Sequence, residues 1–362
     1  MLASAAAARA QANLATVVSE LREKLRADVA ADSVGGITAA VVVGDRMVWA
    51  EGFGWADRDR RIPAGVETIY RIGSVSKTFT AVALAQLVDR GVLRLDDPVE
   101  RYLPEVRNLA NARPGARPIT FRQLASHTAG LAREPRLEDA AAGPIAQWEE
   151  KVLASIPTTS FDTVPGARFA YSNIGYGVLG LAISRAAKMP FTQMIEQRIF
   201  APLEMTHSTY VIDDRLRPWL SVGYESSRTG IDTAVPAREH LGRGYKVPNG
   251  GIYSTVGDLA RFIASLTGAS TPVLSDSMRR VMQTVQTPER RAFGYGLGLQ
   301  IDVEPDGTQR IMGHGGGMAG YTAQIVFDTR SRVGVILLRN YQQGRTDLDG
   351  VAMDALRKLV LP

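Results

Sequence analysis

The chain has 362 residues, 45% hydrophobic and 22% charged, a globular composition that excludes a disordered polymer and calls for two domains or one large domain with an insertion. It has no cysteine, which excludes disulfide scaffolds, cysteine zinc sites and thiol nucleophiles, and no run of about 18 uninterrupted apolar residues, so no membrane span is expected. Its 42 Lys+Arg against 37 Asp+Glu (net +5) are scattered, with no aromatic-interleaved basic stripe, so nucleic acid is not an expected partner.

The stretch Met1 to Asn13 is Ala-rich, without the basic start and long apolar core of a complete signal peptide. Ala8-Arg9-Ala10 has the small-x-small form of a cleavage site, and a plain helix start reads the same way. Location therefore stays open, with a periplasmic or secreted protein favoured over a cytoplasmic one. From Leu14 to Val29 apolar residues recur at helical spacing. Ile37 to Val43, the turn pair Gly44-Asp45, and Met47 to Trp55 read as an antiparallel hairpin. Gly73-Ser74 opens a helical pattern (Phe79, Val82, Ala83, Leu84, Leu87, Val88) that Gly91 ends as a C-cap glycine.

Leu93 to Arg243 is mainly loops and short helical runs rich in Pro, Gly and Ala. Tyr321 to Phe327 and Val333 to Leu338 form a second hairpin, and Val351 to Leu361 a closing helix. The expectation is an α/β fold of the α+β type: an antiparallel sheet with flanking helices from residues 14–92 and 244–362, and an inserted all-α domain over 93–243.

Three short elements carry chemistry. In Ser74-Val75-Ser76-Lys77 the outer residues lie about one helical turn apart and face the same way. A lysine amine whose pKa is lowered by burial or neighbouring cations can take the serine proton, while the Ser74 N–H at a helix start can serve an oxyanion. A capping serine beside an exposed lysine is the bland alternative. Tyr171-Ser172-Asn173, the only Tyr-x-Asn, sits at a turn entering a helix; a phenol near a cation can shuttle protons, and the amide can meet a substrate carbonyl. His314-Gly315-Gly316-Gly317 precedes the last hairpin, and its glycines allow close backbone approach and free N–H groups. No Lys-Ser/Thr follows to make a phosphate loop, and His240-Leu241-Gly242 is an internal decoy.

In this order the three elements resemble the β-lactamase-related serine hydrolases, the class C β-lactamases and their penicillin-binding relatives, marked by Ser-x-x-Lys, Tyr-x-Asn and Lys-Thr-Gly or a His-x-Gly variant. Tyr70 to Ala81, Leu95-Asp96-Asp97-Pro98-Val99 with Tyr102-Leu103-Pro104, Leu124 to Leu131 and Asn249 to Thr255 extend the resemblance over about residues 36–340. It implies the β-lactamase/transpeptidase-like fold with its site between sheet and helical domain, and no cofactor. Ser74 is then the acylated nucleophile, Lys77 assists its deprotonation, and Tyr171 is the proton shuttle. Asn173, His314, Gly315 and Gly316 contact substrate, with the N–H groups of Ser74 and Gly317 as the oxyanion hole.

The implied activity is a serine hydrolase working through an acyl-enzyme on a small-molecule β-lactam, D-alanyl peptide or ester, esterases of this fold included; the alternative is a non-hydrolytic penicillin-binding sensor. Histidine in place of the third-motif lysine removes a permanent cation and weighs against efficient β-lactam hydrolysis. His127 reads as a structural histidine beside a turn and His207 as a surface-loop residue. No His-Glu-x-x-His or carboxylate cluster calls for a metal.

Overall fold

The computed structural model describes residues 2–111, 117–227, 230–289 and 292–360. In chain order its strands are β1 (Gly36–Val43), β2 (Arg46–Asp57), β3 (Ile62–Pro63), β4 (Tyr70–Arg71), β5 (Glu225–Ser227), β6 (Gly230–Asp232), β7 (Tyr253–Ser254), β8 (Phe293–Tyr295), β9 (Gln300–Asp302), β10 (Ile311–Met318), β11 (Tyr321–Asp328) and β12 (Val333–Arg339). The expected hairpin β1–β2 turns at Gly44, whose φ of +63° suits a residue without a side chain. Eight strands form one antiparallel sheet in the order β3-β2-β1-β12-β11-β10-β9-β8. The two chain ends meet at its centre, where Ile37 of β1 lies opposite Arg339 of β12 and Val43 opposite Val333.

Both faces are covered, which is why the central strands read as continuous apolar runs rather than alternating ones. Ala39, Val335 and Leu337 pack on the terminal helices Leu2–Asp32 and Leu348–Val360 through Leu25 and Leu356. Their strand neighbours Ala40, Val42, Ile336 and Leu338 point the other way, into the larger core around the helix Ser76–Asp89. That helix is buried continuously from Ser76 to Leu87 and ends before Gly91, at φ +67°. A helix enclosed on all sides is held by tertiary packing, so truncating Phe79 at its centre would cost about 3–5 kcal/mol.

Beside it runs the helix Asn173–Ala187, started by Ser172, whose Oγ accepts the Gly175 N–H at 2.9 Å. Between the sheet's two halves lie further short helices, among them Phe121–Ala125, whose Thr120 and Gln123 close a capping box, and Trp148–Ser155. The hairpin β5–β6 also falls in this stretch. Among the described residues no helix is long and apolar enough to cross a membrane.

The structure departs from the sequence expectation at the glycine run. His314 to Gly317 does not lead into the last hairpin from outside; it is the body of β10, paired to β11 with His314 opposite Ile325 and Gly317 opposite Thr322. Glycine is needed there because the backbone of β10 touches its neighbours. A Cβ at Gly313 would meet the Ile325 carbonyl oxygen, and one at Gly316 the Ile72 carbonyl oxygen, both at 2.0 Å.

Candidate active site

The site forms where β10 meets the turn leading into the helix Ser76–Asp89. That turn, Gly73–Val75, is a single 3₁₀ turn running into the helix. Gly73 has φ +51°, and a Cβ on it would lie 2.9 Å from Gly317 N; a Cβ on Gly316 would lie 3.1 Å from Ser74 N. Two glycines thus let the backbone N–H groups of Ser74 and Gly317 meet across one backbone contact. Gly317 itself is exposed, and a Cβ there would meet nothing within 4 Å, so it borders open space.

Lys77, one turn after Ser74, is completely buried. Its Nζ lies within hydrogen-bonding distance of Ser74 Oγ at 2.9 Å, Asn173 Oδ1 at 2.9 Å and the Asn249 carbonyl at 3.2 Å. None of these acceptors is charged. Burial holds the amine well below the ordinary lysine range, and the cations of Arg133, Lys246 and Arg243 push the same way, opposed only by Glu134. The bland alternative of an exposed lysine is thereby removed.

Tyr171 stands beside Ser74 and among cations: Lys77 Nζ is 4.8 Å and the Arg133 guanidinium 4.9 Å from its ring centroid. Those cations do not win. Burial outweighs them and raises the phenol to about 12, so Tyr171 holds its proton at neutral pH instead of releasing it.

Asn173 is committed at both ends of its amide, since Nδ2 donates to Glu134 Oε1 at 2.6 Å while Oδ1 faces Lys77. In this structure it positions the lysine. His314, expected to meet substrate, turns inward. It is 1% exposed, with Nε2 2.8 Å from Tyr295 Oη and Nδ1 2.6 Å from the Gly315 carbonyl, and burial drives it down to about 3. A neutral, enclosed imidazole offers the cleft no charge. Gly315 faces Gln324, whose Oε1 a Cβ would approach to 2.7 Å. The structure therefore gathers Ser74, Lys77, Tyr171, Asn173, Gly316 and Gly317, and leaves the His314 ring behind them.

Several residues around the site are given no catalytic or binding role by the sequence. Asn249 backs Lys77 with its carbonyl and donates through Nδ2 to the Asn173 carbonyl at 2.9 Å. Glu134 accepts from Tyr245 Oη as well as from Asn173, and Lys246 Nζ is 3.4 Å away. His127, in the left-handed region at φ +58°, accepts the Ser172 N–H at 3.1 Å while its buried Nε2 has no partner among the described residues. His207 lies by Glu67 at 3.7 Å in a loop away from these groups.

Known proteins of this shape give the site a context. A family model described as Beta-lactamase matches residues 21–357. Beta-lactamase-like protein 2 of Dictyostelium discoideum is 26% identical over 327 residues, 88% of this chain but only 58% of that protein's length. The Escherichia coli K12 D-alanyl-D-alanine-carboxypeptidase/endopeptidase AmpH is 27% identical over 90% of this chain and 87% of its own. Among solved structures, the octameric penicillin-binding protein homologue from Pyrococcus abyssi superposes with a TM-score of 0.77 at 26% identity, covering 95% of this chain and 77% of that one. A D-stereospecific amidohydrolase from Streptomyces sp. superposes at 0.74 with 28% identity, covering 93% and 98%. The chain belongs to the Beta-lactamase family, the β-lactamase-related serine hydrolases.

Proposed function

We propose that the protein is a serine hydrolase that forms an acyl-enzyme on Ser74 and cleaves amide or ester bonds, with D-configured peptides and amides as its preferred class. The observation that carries this is the Lys77 amine, sealed from water, without a carboxylate partner and 2.9 Å from Ser74 Oγ. As the unprotonated base, Lys77 takes the Ser74 proton while Oγ attacks the substrate carbonyl. Negative charge collects on the carbonyl oxygen, where the N–H groups of Ser74 and Gly317 stabilise it. Tyr171, a phenol with its proton in place, passes that proton to the leaving group and recovers one from the neighbouring Lys77 ammonium. Water then attacks the acyl group, and the same relay runs in reverse.

The substrate class is supported by AmpH and the Streptomyces amidohydrolase, both matched over most of their length. Efficient β-lactam hydrolysis is disfavoured, since the His314 ring that replaces the third-motif lysine is buried and neutral. Comparing kcat/KM for a D-alanyl-D-alanine peptide, p-nitrophenyl acetate and nitrocefin tests the proposal. Steady turnover of the first two, abolished in Ser74→Ala, is expected. Stoichiometric labelling of Ser74 without turnover would instead make the protein a sensor.

A further inference from the structure

Just beyond the oxyanion strand two arginines share one carboxylate oxygen. Arg71 Nη1 lies 3.1 Å and Arg243 Nη1 2.5 Å from the same Oε2 of Glu239, and Arg243 Nη1 also reaches Met318 Sδ at 3.4 Å. Both arginines are over nine-tenths buried, at 1% and 8% exposure, and the Nε atoms of both are enclosed without a partner among the described residues. The other carboxylate near enough to act on Arg243 is Glu134, which is already engaged by Lys246, Asn173 and Tyr245. His240 hydrogen-bonds Tyr253 Oη at 2.7 Å and is held down to about 4 by burial and by Arg71, while burial raises the Tyr253 phenol. Two cations against one carboxylate leave this cluster one positive charge in excess, and an unmatched buried charge is costly unless something answers it.

Arg243 lies close to the backbone that carries Ser74. A Cβ built at Gly250 would meet Arg243 Nη2 at 3.8 Å, the Met318 methyl at 3.8 Å and the Gly73 carbonyl carbon, one bond from Ser74 N, at 3.9 Å. With glycine at 250 a gap of about methyl size separates these atoms, and Arg243 Nη2 makes no hydrogen bond among the described residues. We propose that Arg243, backed by Arg71, binds a carboxylate carried on the acyl side of the substrate a few bonds from the carbonyl that Ser74 attacks. Resting on the hydrolase reading of Ser74, the proposal adds a charge to its substrate: an acidic acyl group. The buried His314 supplies no cation of its own, and Arg243 does so from the other side of Gly317.

The test uses Ser74→Ala protein, in which binding is separated from turnover. It is titrated by ligand-observed NMR with monomethyl glutarate, which carries one carboxylate, and with its neutral counterpart dimethyl glutarate. The anion is expected to bind about tenfold or more tightly, the contribution of a hydrogen bond to a charged group. Adding Arg243→Gln should bring the two ligands to equal affinity, and adding Glu239→Gln, which removes the competing carboxylate, should widen the preference. Equal affinities at the start, a preference untouched by Arg243→Gln, or one lost through Arg133→Gln instead would overturn the proposal. Where Arg243→Gln does not fold, Glu239→Gln decides, and an unchanged or smaller preference overturns it. Failure of the hydrolase reading is a separate result: wild-type protein that prefers the anion yet shows no Ser74-dependent turnover of any ester or amide.

Discussion

The His127 imidazole lies against the Tyr171 ring, with centroids 4.1 Å apart and planes tilted by 34°. It also holds the Ser172 N–H through Nδ1, so one side chain fixes both the phenol's ring and the backbone that follows it. His127 is thus a positioning residue for Tyr171. His127→Asn, which tolerates the left-handed backbone, removes the ring and is expected to lower kcat about tenfold or more with little change in KM. Steady-state kinetics on a p-nitrophenyl ester checks this; a change confined to KM would contradict it.

Lys77 has two predictable consequences. Its amine is active when unprotonated, so kcat/KM should rise with pH to a plateau reached well below the ordinary lysine range, in the direction set by its burial. Because its folded pKa is depressed, the unfolded chain binds the extra proton between the two values, and stability rises with pH across that window. Lys77→Met should abolish acylation, flatten this dependence and melt cooperatively at an equal or higher Tm near neutral pH. A lower Tm would show that the amine contributes more to folding than its desolvation takes away.

Acid should weaken the protein through its buried histidines. Burial holds His314 down to about 3 and His240 to about 4, and His127 well below the usual histidine range. The unfolded chain takes up these protons near pH 6.5 and the native state does not, so stability falls as pH drops from there towards 3. Each histidine adds a slope of up to about 1.4 kcal/mol per pH unit. Chemical denaturation from pH 7 to 4 measures it, and His314→Gln should make the slope shallower.

How much of this was legible beforehand follows the range of each interaction. The Ser74–Lys77 relation is local, one turn of backbone, and sequence spacing carries it. The sheet's central strands β1, β11 and β12 are β-branched runs and read as hairpins. β10 does not, because a strand made largely of glycine has neither alternation nor propensity; its pairing comes from close contact with Ile72 and Ile325. Asn249, Glu134 and Tyr245 are brought to Lys77 only by tertiary packing. The proton on Tyr171 is not legible in sequence, because its retention follows from burial and not from the neighbouring cations. His314 matches the motif in sequence, but the β10 register directs its ring to Tyr295.

Adjacent glycines should behave oppositely. Gly316→Ala drives a methyl into the Ile72 carbonyl and Ser74 N, so both Tm and kcat should fall, with stability lost by about 1–3 kcal/mol. Gly317→Ala meets open space and should leave Tm unchanged. Thermal melts of the two variants decide; equal destabilisation would mean that the strand does not abut the Ser74 turn as described.

The most direct measurement is a rapid-mix reaction of p-nitrophenyl acetate with wild-type, Ser74→Ala and Lys77→Ala proteins, followed by peptide mapping of the quenched chains. A burst of nitrophenolate with one acetyl group on the peptide containing Ser74, absent in Ser74→Ala and slowed about a hundredfold or more in Lys77→Ala, is the predicted result. An acetyl group elsewhere, or an undiminished burst without the Lys77 amine, would contradict it.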